Sequence, residues 1–279
     1  MTRRPSRAAD PSKLLALLWQ SAEAVPRRGP DRSRTLVEVV SAGINIADRG
    51  GLPAVTMRAV AQALSLSTMS LYSYVPGKDA LVALMIDRLY SQMPRPSLIA
   101  LPGPERLRQV ADLNRQLFLA HPWLADSSSA RPPLGPGVMA KYEYELSAFA
   151  GMGLDDVTTD DCLTYLITYV HGAARARTSA ATQQLESGTT DQEWWDQHQP
   201  LLAQVFDEQR YPNATRVGTA AGTARGSAYD PDLAYRFGLD RTIYAIQALV
   251  RVDHDDSASG AAATPRRPRS AGGRRRPAR

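Results

Sequence analysis

The sequence predicts an all-α protein. Three observations carry that prediction. Apolar residues recur at three- and four-residue spacing along most of the chain, no segment sustains the period-two alternation of a strand, and paired breakers separate the periodic stretches. With 279 residues, of which 43% are apolar, the chain can build one or two domains around a sizeable core.

The elements follow in order. A short helix is expected over 11–24 and a linker, "VPRRGP", over 25–30. Asp31 or Ser33 can cap a helix running to about Arg49, with Leu36, Val40, Ile44 and Ala47 on one face, and Gly50-Gly51 ends it. Thr56 caps a brief helix to Leu64 whose Val60, Ala61 and Leu64 point inward, and "SLS" at 65–67 is a tight turn. A two-turn helix follows over 68–75. Pro76-Gly77 stops it, and an amphipathic helix covers 78–93 through Leu81, Leu84, Met85 and Leu89. The proline-rich 93–105 stretch is the best domain boundary. Beyond it, helices are expected over 104–120, 136–151, 156–186, 191–210 and 231–253, with 127–137 and 211–231 as loops. The organisation is then a basic N-terminal extension (1–30), a small helical domain (31–93), a larger helical domain (104–253) and a disordered basic tail (254–279).

Composition narrows the function classes. The single cysteine, Cys162, excludes an intrachain disulfide framework and fits the cytoplasm. No apolar run reaches the length of about 18 residues that a membrane-spanning helix needs. The net charge of +5 is uneven: Arg3, Arg4 and Arg7 open the chain, and "PRRPRSAGGRRRPAR" closes it. Such a tail cannot bury a core. It is either solvated or a non-specific phosphate-binding arm. The remaining chain is near neutral, so charge alone does not establish a nucleic-acid binder.

The stretch 56–78 is the most informative. Two short helices joined by a tight turn, with a longer helix on each side, suggest a helix-turn-helix. Ala61 is small where the helices must approach, and Leu64, Leu66, Leu71 and Val75 can plug the core from both sides. Ser67, Thr68, Met69, Ser70, Ser73 and Tyr74 are left facing outward. An ordinary helical hairpin would carry more Lys and Glu there. An uncharged, hydroxyl-rich face suits hydrogen bonds to base edges and phosphates.

"VTMRAVAQALSLSTMSLYSYVPGKDALVALM" (55–85) resembles the DNA-binding domain of TetR-type transcriptional repressors. The resemblance covers about 32–90 and rests on the capping Thr, the packing Ala, the Leu-Tyr pair and the Lys, all at the family spacing. "LLW…PRRGP" upstream resembles an extension of some actinobacterial members. "RYP" at Arg210 and "FGLDR" at Phe237 more weakly resemble the tetracycline-repressor-like ligand domain. The turn departs from the family in carrying Ser65 where Gly is usual, at a cost of about 1–2 kcal/mol if Ser65 is left-handed.

The resemblance implies a role for each matching residue. Thr56 caps the second helix and can touch a phosphate. Arg58 reaches a guanine or a phosphate. Ser67, Thr68, Met69 and Ser70 lead the recognition helix into the major groove, where Met69 can meet a thymine methyl. Tyr72 and Tyr74 contact bases or backbone, with part of the Tyr72 ring spent on the core. Lys78 grips a phosphate. Arg27 and Arg28 either reach an adjacent minor groove or are solvated linker charge.

One two-turn recognition helix reads too few bases, so a homodimer on a palindromic duplex is expected, with two recognition helices about 34–36 Å apart. The last helix carries two apolar stripes, Leu233/Phe237/Tyr244/Ala248 and Leu239/Ile243/Ile246/Val250. The helix from Asp156 carries Leu163, Leu166, Ile167 and Val170 on one side and Cys162, Tyr165 and Tyr169 on another. Two stripes need two partners: either a second subunit, in an intersubunit four-helix bundle, or burial within one subunit. Trp123, Tyr142, Phe149, Met152, Tyr165, Tyr169, His171 and Trp195 form a pool for a small-molecule effector site, each also readable as plain core. His121, His171, His198 and His254 lack metal-ligand spacing, Cys162 reads as packing, and no phosphate-binding glycine motif occurs. No cofactor and no membrane partner are expected. The reading is a ligand-released DNA-binding repressor. Its alternatives are a DNA-binding dimer without an effector and a helical enzyme.

Overall fold

The computed structural model describes residues 11–23, 34–126, 132–227 and 229–260. Those residues form twelve helices and no strand. Helix α1 (Pro11–Glu23) anchors itself through Leu18, which is fully buried, while the Trp19 indole N–H donates to the Leu134 carbonyl at 3.0 Å.

Helix α2 (Leu36–Ala54) starts at a capping box: Thr35 Oγ1 accepts the Glu38 N–H, and the Glu38 carboxylate accepts the Thr35 N–H at 2.7 Å. The cap is therefore Thr35, one turn later than expected, and Asp31 and Ser33 lie outside the described residues. The helix kinks at Gly51, whose φ of +68° is open to glycine without strain. Helix α3 (Met57–Ala63) is capped by Thr56 and α4 (Thr68–Tyr72) by Ser67. Helix α5 (Lys78–Gln92) follows and buries Ala80, Leu81, Leu84, Met85 and Leu89. Together with Val39, Val40, Ile44, Val60, Ala61 and Leu71 these close a small core.

The C-terminal helices are α6 (Gly103–Ala120), α7 (Pro122–Asp126), α8 (Pro136–Ser147), α9 (Asp156–Ser187), α10 (Asp191–Val205), α11 (Pro212–Arg225) and α12 (Pro231–Gly260). Helix α9 runs along both α6 and α12, and α8 lies across α5. Their core is Leu107, Val110, Phe118, Leu166, Val170, Leu239, Ile243 and Ile246. Two corrections concern α8 and α10: each ends about one turn before its expected boundary, at Ser147 and Val205. A third concerns 211–231, expected as loop. Helix α11 occupies most of it, with Pro212 in its first turn and Gly226 left-handed at its end. Helix α11 buries no residue, so no apolar period marks it.

Candidate nucleic-acid interface

The turn between α3 and α4 is a Schellman motif. The Leu66 N–H reaches back to the Ala61 carbonyl at 2.8 Å and the Ser65 N–H to that of Gln62 at 3.1 Å. Closing both bonds puts Ser65 at φ +56°, the one non-glycine with positive φ among the described residues. Leu66 thereby folds back toward the α3–α4 core. The next residue, Ser67, accepts the Ser70 N–H at 3.0 Å and starts the recognition helix.

That helix presents what the motif requires. Ser67, Thr68, Met69 and Ser70 are all exposed, Met69 at 79%. Leu71 is fully buried between the helices. Thr56 Oγ1 accepts the Ala59 N–H at 3.0 Å, and the Arg58 side chain is exposed beside that N-terminus. Two tyrosines exchange the positions expected of them: Tyr72 is 47% exposed, whereas Tyr74 is buried at 7% rather than outward. The chain geometry gives the reason. Helix α4 ends at Tyr72 rather than at 75, and past its end the Tyr74 and Val75 N–H groups both turn back to the Leu71 carbonyl, at 3.0 and 3.2 Å, which brings both side chains inward. Lys78 does not extend into solvent. Its ammonium donates to the Leu52 carbonyl at 2.7 Å, at the kinked end of α2, where the Val55 N–H donates to the same oxygen. Arg27 and Arg28 lie outside the described residues.

The helix-turn-helix unit is tied to the C-terminal helices at two places. Asp48 of α2 accepts the Trp123 indole N–H at 2.8 Å and lies 2.8 Å from His121 Nδ1, bracketing α7. Asp87 of α5, 6% exposed, accepts the Val138 N–H in the first turn of α8 at 2.9 Å. Burial pushes the Asp87 carboxyl above the usual carboxylate range, against the Val138 and Gly137 N–H groups.

A polar cluster stands inside the C-terminal helices. Lys141 and Glu145, one turn apart on α8 and both buried, pair at 2.6 Å. The Asn114 amide of α6, fully buried, donates to the same Glu145 oxygen at 2.5 Å and to the Val110 carbonyl. The Lys141 ammonium also lies 4.9 Å from the centre of the Tyr90 ring of α5. The His171 ring of α9 packs on Phe118 at 4.2 Å. Burial first, then the charges of Lys141 and Arg175, hold its pKa down to about 4, so the imidazole is neutral at physiological pH. Asn114 Oδ1 and His171 Nε2 are both buried without a hydrogen-bond partner.

Of the expected effector pool, His171 belongs to this cluster. Trp123 sits against Asp48, Tyr142 is on the surface bonded to Asp160, Met152 packs at the start of α6, and Tyr165 is 51% exposed. Phe149 is core at 4% exposure. Tyr169 donates to the Ala234 and Tyr235 carbonyls of α12, and Trp195 lies against Gly222 of α11. These eight residues are thus spread over several elements. Asn114 was legible as the one polar residue on the apolar stripe of α6, and Lys141–Glu145 as an i,i+4 pair, yet neither belonged to the expected set.

Helices α9 and α12 keep an outward apolar face as well as an inward one. Leu239, Ile243 and Ile246 are buried, while Phe237 and Tyr244 are 65% and 63% exposed and Leu233 is 40% exposed. No helix is long and apolar enough to cross a membrane, and no three metal-ligating side chains cluster, among the described residues.

Comparison with known proteins agrees with this geometry. The family model "Tetracyclin repressor-like, C-terminal domain" matches residues 103–250. The HTH-type transcriptional repressor DrrR1 of Streptomyces coeruleorubidus is 34% identical over 255 residues, 91% of this chain and 92% of that protein. An HTH-type transcriptional regulator of Saccharopolyspora erythraea is 31% identical over 62% of this chain and 72% of its own length. Among solved structures, apo ActR from Streptomyces coelicolor superposes with a TM-score of 0.65 at 26% identity, covering 79% of this chain and 98% of that one. ActR in complex with actinorhodin gives the same TM-score at 27% identity, covering 78% and 97%. An exposed, hydroxyl-rich recognition helix on a Schellman turn, joined to a C-terminal part matched along 103–250, makes this chain a member of the TetR family of transcriptional regulators.

Proposed function

We propose that the protein is a cytoplasmic repressor that binds a palindromic duplex as a homodimer and is released by a small-molecule effector. The observation that carries this reading is the exposed, uncharged face from Ser67 to Tyr72 on a turn fixed by backbone hydrogen bonds. That face enters the major groove. Thr68 and Ser70 offer hydroxyls, Met69 an apolar tip for a thymine methyl, and Tyr72 a phenol. Arg58 reads guanine, and Lys78 reaches a phosphate by exchanging its Leu52 carbonyl for it. Tyr74 acts from the core, holding Leu71 and the helix in place. The small helical domain is 31–93, the larger 104–253, and Arg27 and Arg28 extend the footprint.

The outward face of α9 and α12, with Tyr165, Leu233, Phe237 and Tyr244, supplies the second subunit's seat. Obligate interfaces bury apolar faces of this kind together with the surface around them. The effector is bound within the C-terminal helices, with its polar end at Asn114 Oδ1 and His171 Nε2, two buried polar atoms without a partner. An amide oxygen and a neutral imidazole set beside the Lys141–Glu145 pair favour a neutral ligand bearing hydroxyl or N–H groups. ActR is solved in complex with (S)-DNPA and with actinorhodin, which supports a small-molecule effector for this chain.

Selection of bound duplexes from a random pool, followed by gel shift, tests the reading. Specific retention that weakens steeply with salt is expected. Arg58→Ala relaxes sequence preference at one position, by about 1–3 kcal/mol, whereas Lys78→Ala weakens all duplexes alike. Uniform loss in both variants would make Arg58 a phosphate contact. Indifference of the wild type to duplex sequence would end the proposal.

A further inference from the structure

We infer that Asp87 is a positioning residue for DNA binding: by capping α8 from α5, it sets the angle at which the helix-turn-helix unit rides on the C-terminal helices, and with it the separation of the two recognition helices in the dimer. The inference rests on the dimeric DNA-binding reading above and adds to it a residue that touches neither DNA nor effector.

The geometry is specific. Helices α2, α3, α4, α9 and α10 take their N-terminal cap from their own N-cap residue: Thr35, Thr56, Ser67, Asp155 and Thr190. Helix α8 has Gly135 at that place, with no side chain to offer, and receives its cap from another helix. Asp87 Oδ1 accepts the Val138 N–H at 2.9 Å. The approach is so close that side chains are excluded on both sides. A Cβ on Gly135 would overlap the Asp87 carboxylate, and one on Gly137 would overlap the Asp87 carbonyl oxygen. A local Ser or Asp at position 135 would cap α8 without burying an acid. This junction instead buries a carboxylate at 6% exposure, and what it gains is a fixed contact between two units.

A second contact turns that junction into an angle. Arg95, just past the end of α5, donates to the Ala140 carbonyl of α8 at 3.2 Å and, with its other nitrogens, to the Tyr90, Ser91 and Met93 carbonyls. Asp87 and Arg95 therefore pin the first turns of α8 to α5 at two points, each through the backbone. One point would allow α8 to pivot on α5; two do not. Because α5 carries the helix-turn-helix core through Leu81 and Met85, its setting is the setting of α4.

Half-site spacing is the readout, because a purely stabilising residue would not move it. Duplexes selected with the full-length wild type are remade with one or two base pairs inserted or removed between the half-sites. The wild type is expected to lose about tenfold or more in affinity per step, since spacing mirrors the separation of the recognition helices. Asp87→Ala is expected to flatten the series to within about threefold, because its two recognition helices no longer hold one separation. Asp87→Asn, which keeps the acceptor and the shape, retains the wild-type profile. Gly135→Ala, which displaces the carboxylate from the other side, reproduces Asp87→Ala. Thr190→Ala, a lost cap on α10, lowers stability and leaves the profile unchanged. A wild-type profile in Asp87→Ala or in Gly135→Ala overturns the inference, as does a flattened one in Thr190→Ala. If Asp87→Ala does not fold, Gly135→Ala decides by the same criterion. A wild type without any spacing preference instead removes the dimeric reading on which the inference stands.

Discussion

Replacing Glu145 by leucine leaves the Lys141 ammonium buried and unpaired. The two side chains are 8% and 4% exposed and meet at 2.6 Å, so neither charge has water to fall back on. Removing one partner of such a pair costs about 3–5 kcal/mol, most of it the penalty of the stranded charge. Two features place this site toward the lower end. The Asn114 amide keeps its bond to the Val110 carbonyl, and the Lys141 ammonium keeps the face of Tyr90. Glu145→Leu is therefore expected to lose about 3 kcal/mol in urea unfolding at fixed protein concentration, or about 6–12 °C in Tm. The double variant Lys141→Met/Glu145→Leu removes both charges and should return to within about 1 kcal/mol of the wild type, well below the sum of the two single variants. A single variant that loses less than about 1 kcal/mol, or a double variant as unstable as the two singles summed, refutes the reasoning.

Three further outcomes are expected. Ser65→Gly relieves a left-handed residue worth about 1–2 kcal/mol and gives back about 0.5–1 in chain entropy, so chemical denaturation should show a net gain of about 0.5–1 kcal/mol; a loss would mean that the Ser65 side chain contributes to the turn. His171 is held down to about 4 while the unfolded chain protonates near 6.5, so the unfolded state takes up a proton the folded state refuses, and stability falls as pH drops from 6.5 to 4. His171→Gln should make the Tm–pH slope shallower across that window, and equal slopes would place the acid sensitivity elsewhere. Phe237→Arg puts a charge on the outward face of α12 and should raise the dimer dissociation constant by about a hundredfold or more in sedimentation, with DNA affinity falling in step; a stable dimer would move the interface off α9 and α12.

The DNA-facing part of the fold was legible because its signals are local. A cap at Thr56, a small residue at Ala61 and a breaker at Pro76-Gly77 each act within a turn or two of their own position. The two stripes of α12 were legible for the same reason: helical spacing alone separates Leu239, Ile243 and Ile246 from Phe237 and Tyr244. Tyr74 reads as outward on its hydroxyl character, yet it lies past the end of α4, where a turn back to the Leu71 carbonyl buries it. What no local signal carries is contact between distant segments. Asp87 meets Val138, Asp48 meets Trp123 and Asn114 meets Glu145 across 51, 75 and 31 residues, and the charged or polar member of each pair reads in sequence as an ordinary solvated side chain. Helix α11 escaped for the opposite reason. It buries nothing, so its only marks were Pro212 and Gly226 at its ends.

The junction contacts also set the scale of what an effector must do. Asp48 ties α2 to α7 and Asp87 ties α5 to α8, and α2 and α5 share one core. The helix-turn-helix unit is thus held as a rigid body from two sides, and it cannot turn without breaking hydrogen bonds to the Asp48 and Asp87 side chains. Each such bond is worth about 1.5–3 kcal/mol. Converting a population from 99:1 to 1:99 takes about 5.5 kcal/mol of differential ligand affinity. The two numbers match when two or three of these bonds are exchanged, namely Trp123 and His121 to Asp48 together with Val138 to Asp87. An effector at Asn114 and His171 is well placed to supply that difference, because Asn114 is bonded to Glu145 and Glu145 lies on α8, the helix that Asp87 caps. On the proposed reading, a ligand that takes over the Asn114 amide releases Glu145 and with it a tie between α6 and α8, next to the helix whose first turn Asp87 caps.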